Sequence, residues 1–177
     1  MTGVQTCALP ICERLTPLSG IKGEPPGLLL VTPAVPVPTP AVFAALAAGG
    51  AGAAASPGAT RISSAHLASE LLAGALRASD LVARAGILAT ANDLANAAYA
   101  VVPALLPFRR ALMRLTGRPV GLSGSGPSLW VIYPSEAAAA EGASLVDAAL
   151  ADGRLAAPGV ARPFVAATTI VSRPAAS

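Results

Sequence analysis

The chain has 177 residues, enough for one domain with a real core; 54% are apolar, yet only 3% are aromatic and 12% charged. Forty-two are alanine, so the core must be built from small and aliphatic side chains, and a charge content below the usual ~25% excludes a highly charged disordered chain and a soluble charged coiled coil. The net charge of +3 is dispersed, with no basic run longer than Arg109-Arg110, so the clustered stripe that nucleic-acid binding requires is missing.

In chain order, the first segment reads as foreign. Met1-Thr2-Gly3-Val4-Gln5-Thr6-Cys7-Ala8-Leu9-Pro10-Ile11 resembles the translation of a common short-read sequencing adapter, and Cys12 fits the codon junction. Such a segment is excluded from fold reasoning. Residues 1–12 are therefore expected to be disordered and dispensable, and the natural frame to open inside a longer protein. Cys7 and Cys12 lie in or beside this stretch, so they carry no information about disulfides, metal or redox compartment.

Residues 13–26 are polar and proline-bearing and read as the tail of an upstream element followed by a turn at Gly23-Glu24-Pro25-Pro26. Leu28-Leu29-Leu30-Val31 is a continuous apolar run that predicts a buried strand. Pro33, Pro36, Pro38 and Pro40 impose an extended path. Pro40 also suits the first turn of a short helix through Phe43 and Leu46, with Thr39 as its N-cap. Residues 49–58 read as a small-residue loop.

Helical spacing follows. Ser63 or Ser64 is placed to cap a helix carrying Leu67, Leu71, Leu72, Ala75 and Leu76. Asp80 is placed to cap the next, with Leu81, Val82, Ala85 and Leu88 on one face, and Asn92-Asp93 interrupts or recaps it. Pro103 or Pro107 opens a helix through Leu112, Met113 and Leu115, which Gly117 stops. The period then changes. Val120-Gly121-Leu122 is strand-like, residues 123–127 form a glycine turn, and Leu129-Trp130-Val131-Ile132-Tyr133 is a buried strand. Ser135 caps a helix through Leu145, Val146, Ala149 and Leu150 that Gly153 ends, and residues 164–171 are a last strand. The order predicts an α+β sandwich with helices packed on one face of a small antiparallel sheet.

No run is long and apolar enough to span a bilayer: residues 41–59 are alanine and glycine broken by Pro57, and residues 94–108 are broken by Asn96, Pro103 and Pro107. The N-terminus lacks the basic segment and apolar run of a secretory signal, so a cytoplasmic location is expected.

The densest chemical signal is Gly121-Leu122-Ser123-Gly124-Ser125-Gly126-Pro127. Alternating glycine and serine expose backbone N–H groups and hydroxyls, which suits a phosphate concavity. Pro127 stands where a P-loop has lysine, Leu129 where the dinucleotide fingerprint has its third glycine, and a strand follows where both need a helix. A tight hairpin using glycine for positive φ explains the same residues equally well. His66, the sole histidine, has no partner to complete a metal site and reads as a helix-surface residue. Asn92-Asp93 reads as helix capping, and Trp130 and Tyr133 as packing of one strand.

Together these segments resemble the C-terminal half of the GHMP small-molecule kinases, and within them the 4-diphosphocytidyl-2-C-methyl-D-erythritol kinase family. Glu13-Arg14-Leu15-Thr16-Pro17-Leu18 is similar to the stretch after that family's glycine-containing strand. Val37-Pro38-Thr39-Pro40-Ala41-Val42-Phe43 is similar to its P-T-P-x-x-F segment. Ala91-Asn92-Asp93-Leu94 is similar to its Asn-Asp-Leu helix start, and Leu122-Ser123-Gly124-Ser125-Gly126-Pro127-Ser128 to its third motif. The family's acidic residue after Asn-Asp-Leu is Ala95 here.

The resemblance implies three parts: the foreign residues 1–12, a remnant of an N-terminal kinase domain at residues 13–26, and a GHMP kinase C-terminal domain, ferredoxin-like, at residues 27–177. It implies a parent enzyme that moves the γ-phosphoryl of ATP, with Mg²⁺, to the 2-hydroxyl of a cytidyl diphosphate sugar alcohol in mevalonate-independent isoprenoid synthesis. Its partners would be that small molecule and ATP, with no nucleic acid and no membrane. By position, Phe43 would stack on cytosine with Thr39 and Pro40 shaping the pocket, while Ser123, Gly124, Ser125 and Gly126 would face the phosphates. Asn92 and Asp93 would support the site rather than form it. The general base, the phosphate loop and any metal ligand would lie in the N-terminal half, leaving this chain inactive alone. The alternatives are another GHMP kinase, of homoserine or mevalonate type, and a free-standing α+β ligand-binding module.

Overall fold

A computed structural model describes residues 21–49 and 57–170. The expectations for residues 1–12, for most of residues 13–26 and for Val171 lie outside the described residues. The elements run β1 Gly27–Thr32, α1 Thr39–Ala48, α2 Pro57–Leu72, α3 Ala78–Ala83, α4 Ala85–Thr90, α5 Ala95–Val101, α6 Leu105–Thr116, β2 Gly121–Leu122, β3 Leu129–Tyr133, α7 Glu136–Ala151 and β4 Phe164–Thr169. The four strands form one antiparallel sheet in the order β2-β3-β1-β4. The α+β class with a small antiparallel sheet is therefore the fold expected from the sequence.

The apolar run of β1 occupies the middle of the sheet. Leu29 lies opposite Val131 on one side and Ala167 on the other, and Leu28 lies opposite Ile132 and Thr168. Alternation of side chains then separates two faces. Leu29, Val31, Leu129 and Val131 are fully buried with Phe108 and Leu112 of α6 and Val146 and Ala149 of α7 in one core. On the opposite face Leu28, Trp130 and Ile132 line a cleft of about 350 Å³, closed partly by Leu67, Leu81 and Leu88.

The longest described C-terminal helix shows why the sequence folds this way. Ser135 Oγ accepts from the Ala138 N–H at 3.2 Å, and Glu136 sits in the first turn, where the helix dipole favours an anion. Ala139, Gly142, Val146 and Ala149 form its buried stripe. Gly142 is where the Tyr133 ring approaches: a Cβ there would overlap the ring. Arg118 also lies over the Tyr133 ring, its guanidinium carbon 4.6 Å from the centroid.

Several helix starts differ from the sequence expectation. α1 is preceded by Pro38 in extended conformation, and Thr39 is already helical, so its hydroxyl is free to act elsewhere. α2 already includes Pro57, well before Ser63 and Ser64, and takes Gly58 out of the expected loop. Leu76 lies beyond that helix yet is 2% exposed. Asp80 is inside α3, and its Oδ2 accepts from the Arg77 N–H at 3.0 Å. α6 opens at Leu105, between the two prolines proposed to start it, and Gly117 ends it in the left-handed region at φ 62°. β4 stops at Thr169.

The contact least visible in the sequence is between Glu70 of α2 and Arg84, at the α3–α4 junction. Arg84 Nη2 donates to Glu70 Oε1 at 2.9 Å and Nη1 donates to Oε2. His66, largely exposed, lies 3.4 Å from the same carboxylate. The Arg84 hydrogen bond, outweighing the opposing effect of desolvation, holds the Glu70 carboxyl below its usual range. A lowered carboxylate pKa contributes stability above the unfolded value that is lost as pH falls through the folded one. Glu70→Gln should therefore lower Tm at neutral pH, and the gap to the parent should close in that acid range. A gap independent of pH would show that the ion pair contributes nothing. Gly142→Ala should cost about 1–3 kcal/mol in urea unfolding by overpacking against Tyr133, despite alanine's better helix propensity.

Candidate functional site

The polar groups that the sequence singles out gather at one end of the sheet. The chain between β2 and β3 closes as a hairpin: the Ser123 N–H donates to the Ser128 carbonyl at 2.9 Å, and the Gly126 N–H donates to the Ser123 carbonyl at 2.8 Å. Gly124 at φ 53° and Gly126 at φ 88° supply the left-handed backbone that a residue with Cβ rarely adopts, and the Gly126–Pro127 peptide is cis. A Cβ on Gly124 would meet nothing within 4 Å. The hairpin expected from the glycines is therefore present, and its backbone at Gly124 faces open space.

Three elements hold this turn from different sides. Thr39 Oγ1 of α1 is 2.9 Å from Ser125 Oγ. Thr32 Oγ1, at the end of β1, is 2.9 Å from Ser128 Oγ. Asn92, in the break between α4 and α5, donates through Nδ2 to the carbonyls of Leu122 at 2.9 Å and Gly124 at 2.8 Å. Its Oδ1 accepts from the Leu94 N–H at 3.0 Å, an Asx-type turn just ahead of α5.

Of the residues proposed from sequence, Thr39 and Ser125 are therefore in direct contact. Pro40 follows Thr39 on the exposed start of α1. Phe43 lies one helical turn beyond Thr39, on the same side of α1, and is 53% exposed. The helix is held in place by fully buried Val42 and by packing on α5. Ser123 and Gly124 are exposed, whereas Ser125 and Gly126 are half-buried. Asn92 was expected to interrupt or cap a helix and, by the family resemblance, to support the site; its amide holds two carbonyls of the turn, while α5 itself has no side-chain cap. The available signal was composition, since Asn92 and Asn96 are the chain's only asparagines. Asp93 differs from its neighbour: its Oδ1 is buried with no hydrogen-bond partner among the described residues.

The site is built from hydroxyls, amides and backbone, which bind and orient. Among the described residues no three His, Cys, Asp or Glu side chains converge to hold a metal ion. Elsewhere, burial pushes the Tyr99 and Tyr133 hydroxyls up, with nearby Arg109 and Arg118 opposing it.

No protein-family model matches the chain, and no curated protein matches it. Its fold is similar to that of the homoserine kinase from Cytophaga hutchinsonii, with a TM-score of 0.57 and 16% identity over 91% of this chain and 46% of that one. A 4-(cytidine 5'-diphospho)-2C-methyl-D-erythritol kinase aligns with a TM-score of 0.45 and 22% identity over 88% of this chain and 46% of that one. The chain spans less than half the length of each. At such identity the first likeness is one of fold, and that fold is the one found in a small-molecule kinase.

Double-mutant analysis tests the tie between α1 and the turn. Thr39→Val and Ser125→Ala should each cost about 0.5–1.5 kcal/mol in urea unfolding. Their coupling energy should be at least about 0.5 kcal/mol; strictly additive effects would mean the hydroxyl pair does not form in solution.

Proposed function

We propose that this chain is the C-terminal half of a GHMP-type small-molecule kinase, and that it supplies the alcohol-substrate side of the reaction. The observation that carries this reading is the Thr39–Ser125 contact. It joins the start of the P-T-P-x-x-F helix to the serine-glycine turn, so a ligand touching the exposed Phe43 ring can also reach the turn. Phosphoryl transfer depends mostly on positioning and charge stabilisation, so the site can be divided between two halves.

In the specific form we favour, the substrate is the cytidyl diphosphate sugar alcohol and its 2-hydroxyl receives the γ-phosphoryl of ATP. Phe43 would stack on cytosine, Thr39 and Pro40 would shape its pocket, and Ser123, Gly124, Ser125 and Gly126 would face phosphate. An exposed aromatic on an alanine-rich helix supports this choice, because a base needs a flat apolar partner. ATP with Mg²⁺ would supply the transferred group and its charge neutralisation from the other half. A homoserine kinase half is the second reading, favoured by the fold likeness; an amino-acid alcohol has no base for Phe43 to stack on.

Titration of the chain with cytidine 5'-diphosphate, followed by NMR, discriminates the two. Cytidine 5'-diphosphate should shift the Phe43 ring resonances, and Phe43→Ala should weaken binding by about 1–3 kcal/mol. Saturation by homoserine with no response to cytidine 5'-diphosphate would replace the first reading by the second. The chain alone should release no ADP from Mg-ATP in the presence of either alcohol; substrate-dependent turnover of roughly 0.1 s⁻¹, a hundredth of a typical enzyme rate, would overturn the half-enzyme reading.

A further inference from the structure

We infer that Asn92 is a positioning residue for the serine-glycine turn, and that the group it aims is the backbone N–H of Ser125, presented to an anionic oxygen of the ligand. The inference rests on the reading in which this turn faces phosphate.

The geometry begins with the two carbonyls that Asn92 draws to itself, Leu122 at 2.9 Å and Gly124 at 2.8 Å. A trans peptide is planar, so its N–H points opposite to its C=O. With the Leu122 carbonyl turned to Asn92, the next N–H, that of Ser123, points away and donates to Ser128 across the hairpin. With the Gly124 carbonyl turned the same way, the N–H of Ser125 also points away from Asn92. No backbone carbonyl of the described residues accepts it. It emerges beside Ser125 Oγ, which Thr39 holds, and next to Gly124, around which a Cβ would meet only open space. A backbone N–H and a hydroxyl on one open side of a glycine turn form an anion-binding concavity.

Asparagine is the residue type this arrangement needs. One amide supplies two N–H donors for two carbonyls and one oxygen for the Leu94 N–H, so its orientation is determined from both ends. Aspartate could keep the bond to Leu94 but would set a carboxylate against two carbonyl oxygens. Without the clamp the Gly124–Ser125 peptide is free to rotate, since glycine opposes little of that motion.

The test uses the 177-residue chain and inorganic phosphate. Asn92→Asp retains an acceptor for the Leu94 N–H, and Asn92→Ala removes the clamp without adding charge. In both, hydrogen exchange at the Gly126 N–H should quicken about tenfold through loss of local stability, while the Leu129 and Val131 amides keep the parent rates. In the parent, phosphate should shift the Ser125 amide resonance with saturation; in both variants that response should be lost or weakened about tenfold. Unchanged exchange at Gly126 in the variants would overturn the clamp. A parent phosphate response centred on another residue, no response at all, or one that both variants retain would overturn the assignment to Ser125. Cytidine 5'-diphosphate binding at Phe43 is measured separately, so loss of this inference leaves the kinase reading standing, and the reverse.

Discussion

The antiparallel register of β1 is the constraint from which the rest of the structure follows. Leu29 and Val31 are fully buried between Val131 and Leu129 of β3 on one side and Ala167 and Val165 of β4 on the other. Burial of each leucine or valine contributes about 1.5–3 kcal/mol. A slip of one residue would send both to the cleft face and bring Leu28 and Leu30 onto α7. The same register carries Thr32 to the level of Ser128, so the hydrophobic alignment of the sheet also places the turn between β2 and β3.

Small residues set how closely the layers approach. Ala97 and Ala98 of α5 are buried where α1 packs, and Ala139, Gly142 and Ala149 bring α7 down on the sheet. The two large aromatics of β3 are accommodated by glycine: Trp130 covers Gly121, and Tyr133 lies against Gly142. This is how a chain with 3% aromatic residues still fills its interior, since close packing depends on matched shapes rather than on large side chains.

The ion pairs and the candidate site are segregated. The ion pairs Glu70–Arg84, Asp152–Arg154 and Asp147–Arg162 fasten helices and loops, whereas the turn is held by threonine, serine and asparagine. Neutral hydrogen-bonding groups fix geometry without competing for a phosphate's charge. In the proposed reading, such a turn would orient a ligand for chemistry carried by the other half.

Element type was legible where local chemistry is decisive. The Leu28 to Val31 run, the Ser135 cap, the Gly117 stop and the glycine turn after Leu122 each follow from neighbours within a few residues, and each is found. The α+β class followed from the order of strand-like and helical segments along the chain. Helix starts were less legible, because Thr39, Ser63, Ser64 and Asp80 are all competent caps, and tertiary contacts chose other residues. The pairing of Thr39 with Ser125 and of Asn92 with Leu122 and Gly124 spans 30 to 86 positions. No local propensity encodes such contacts; they exist because the sheet register and the packing of α1 on α5 bring distant polar groups together. The sequence by itself determined which segments could pair and which residues could bind, and the tertiary structure decided which of them meet.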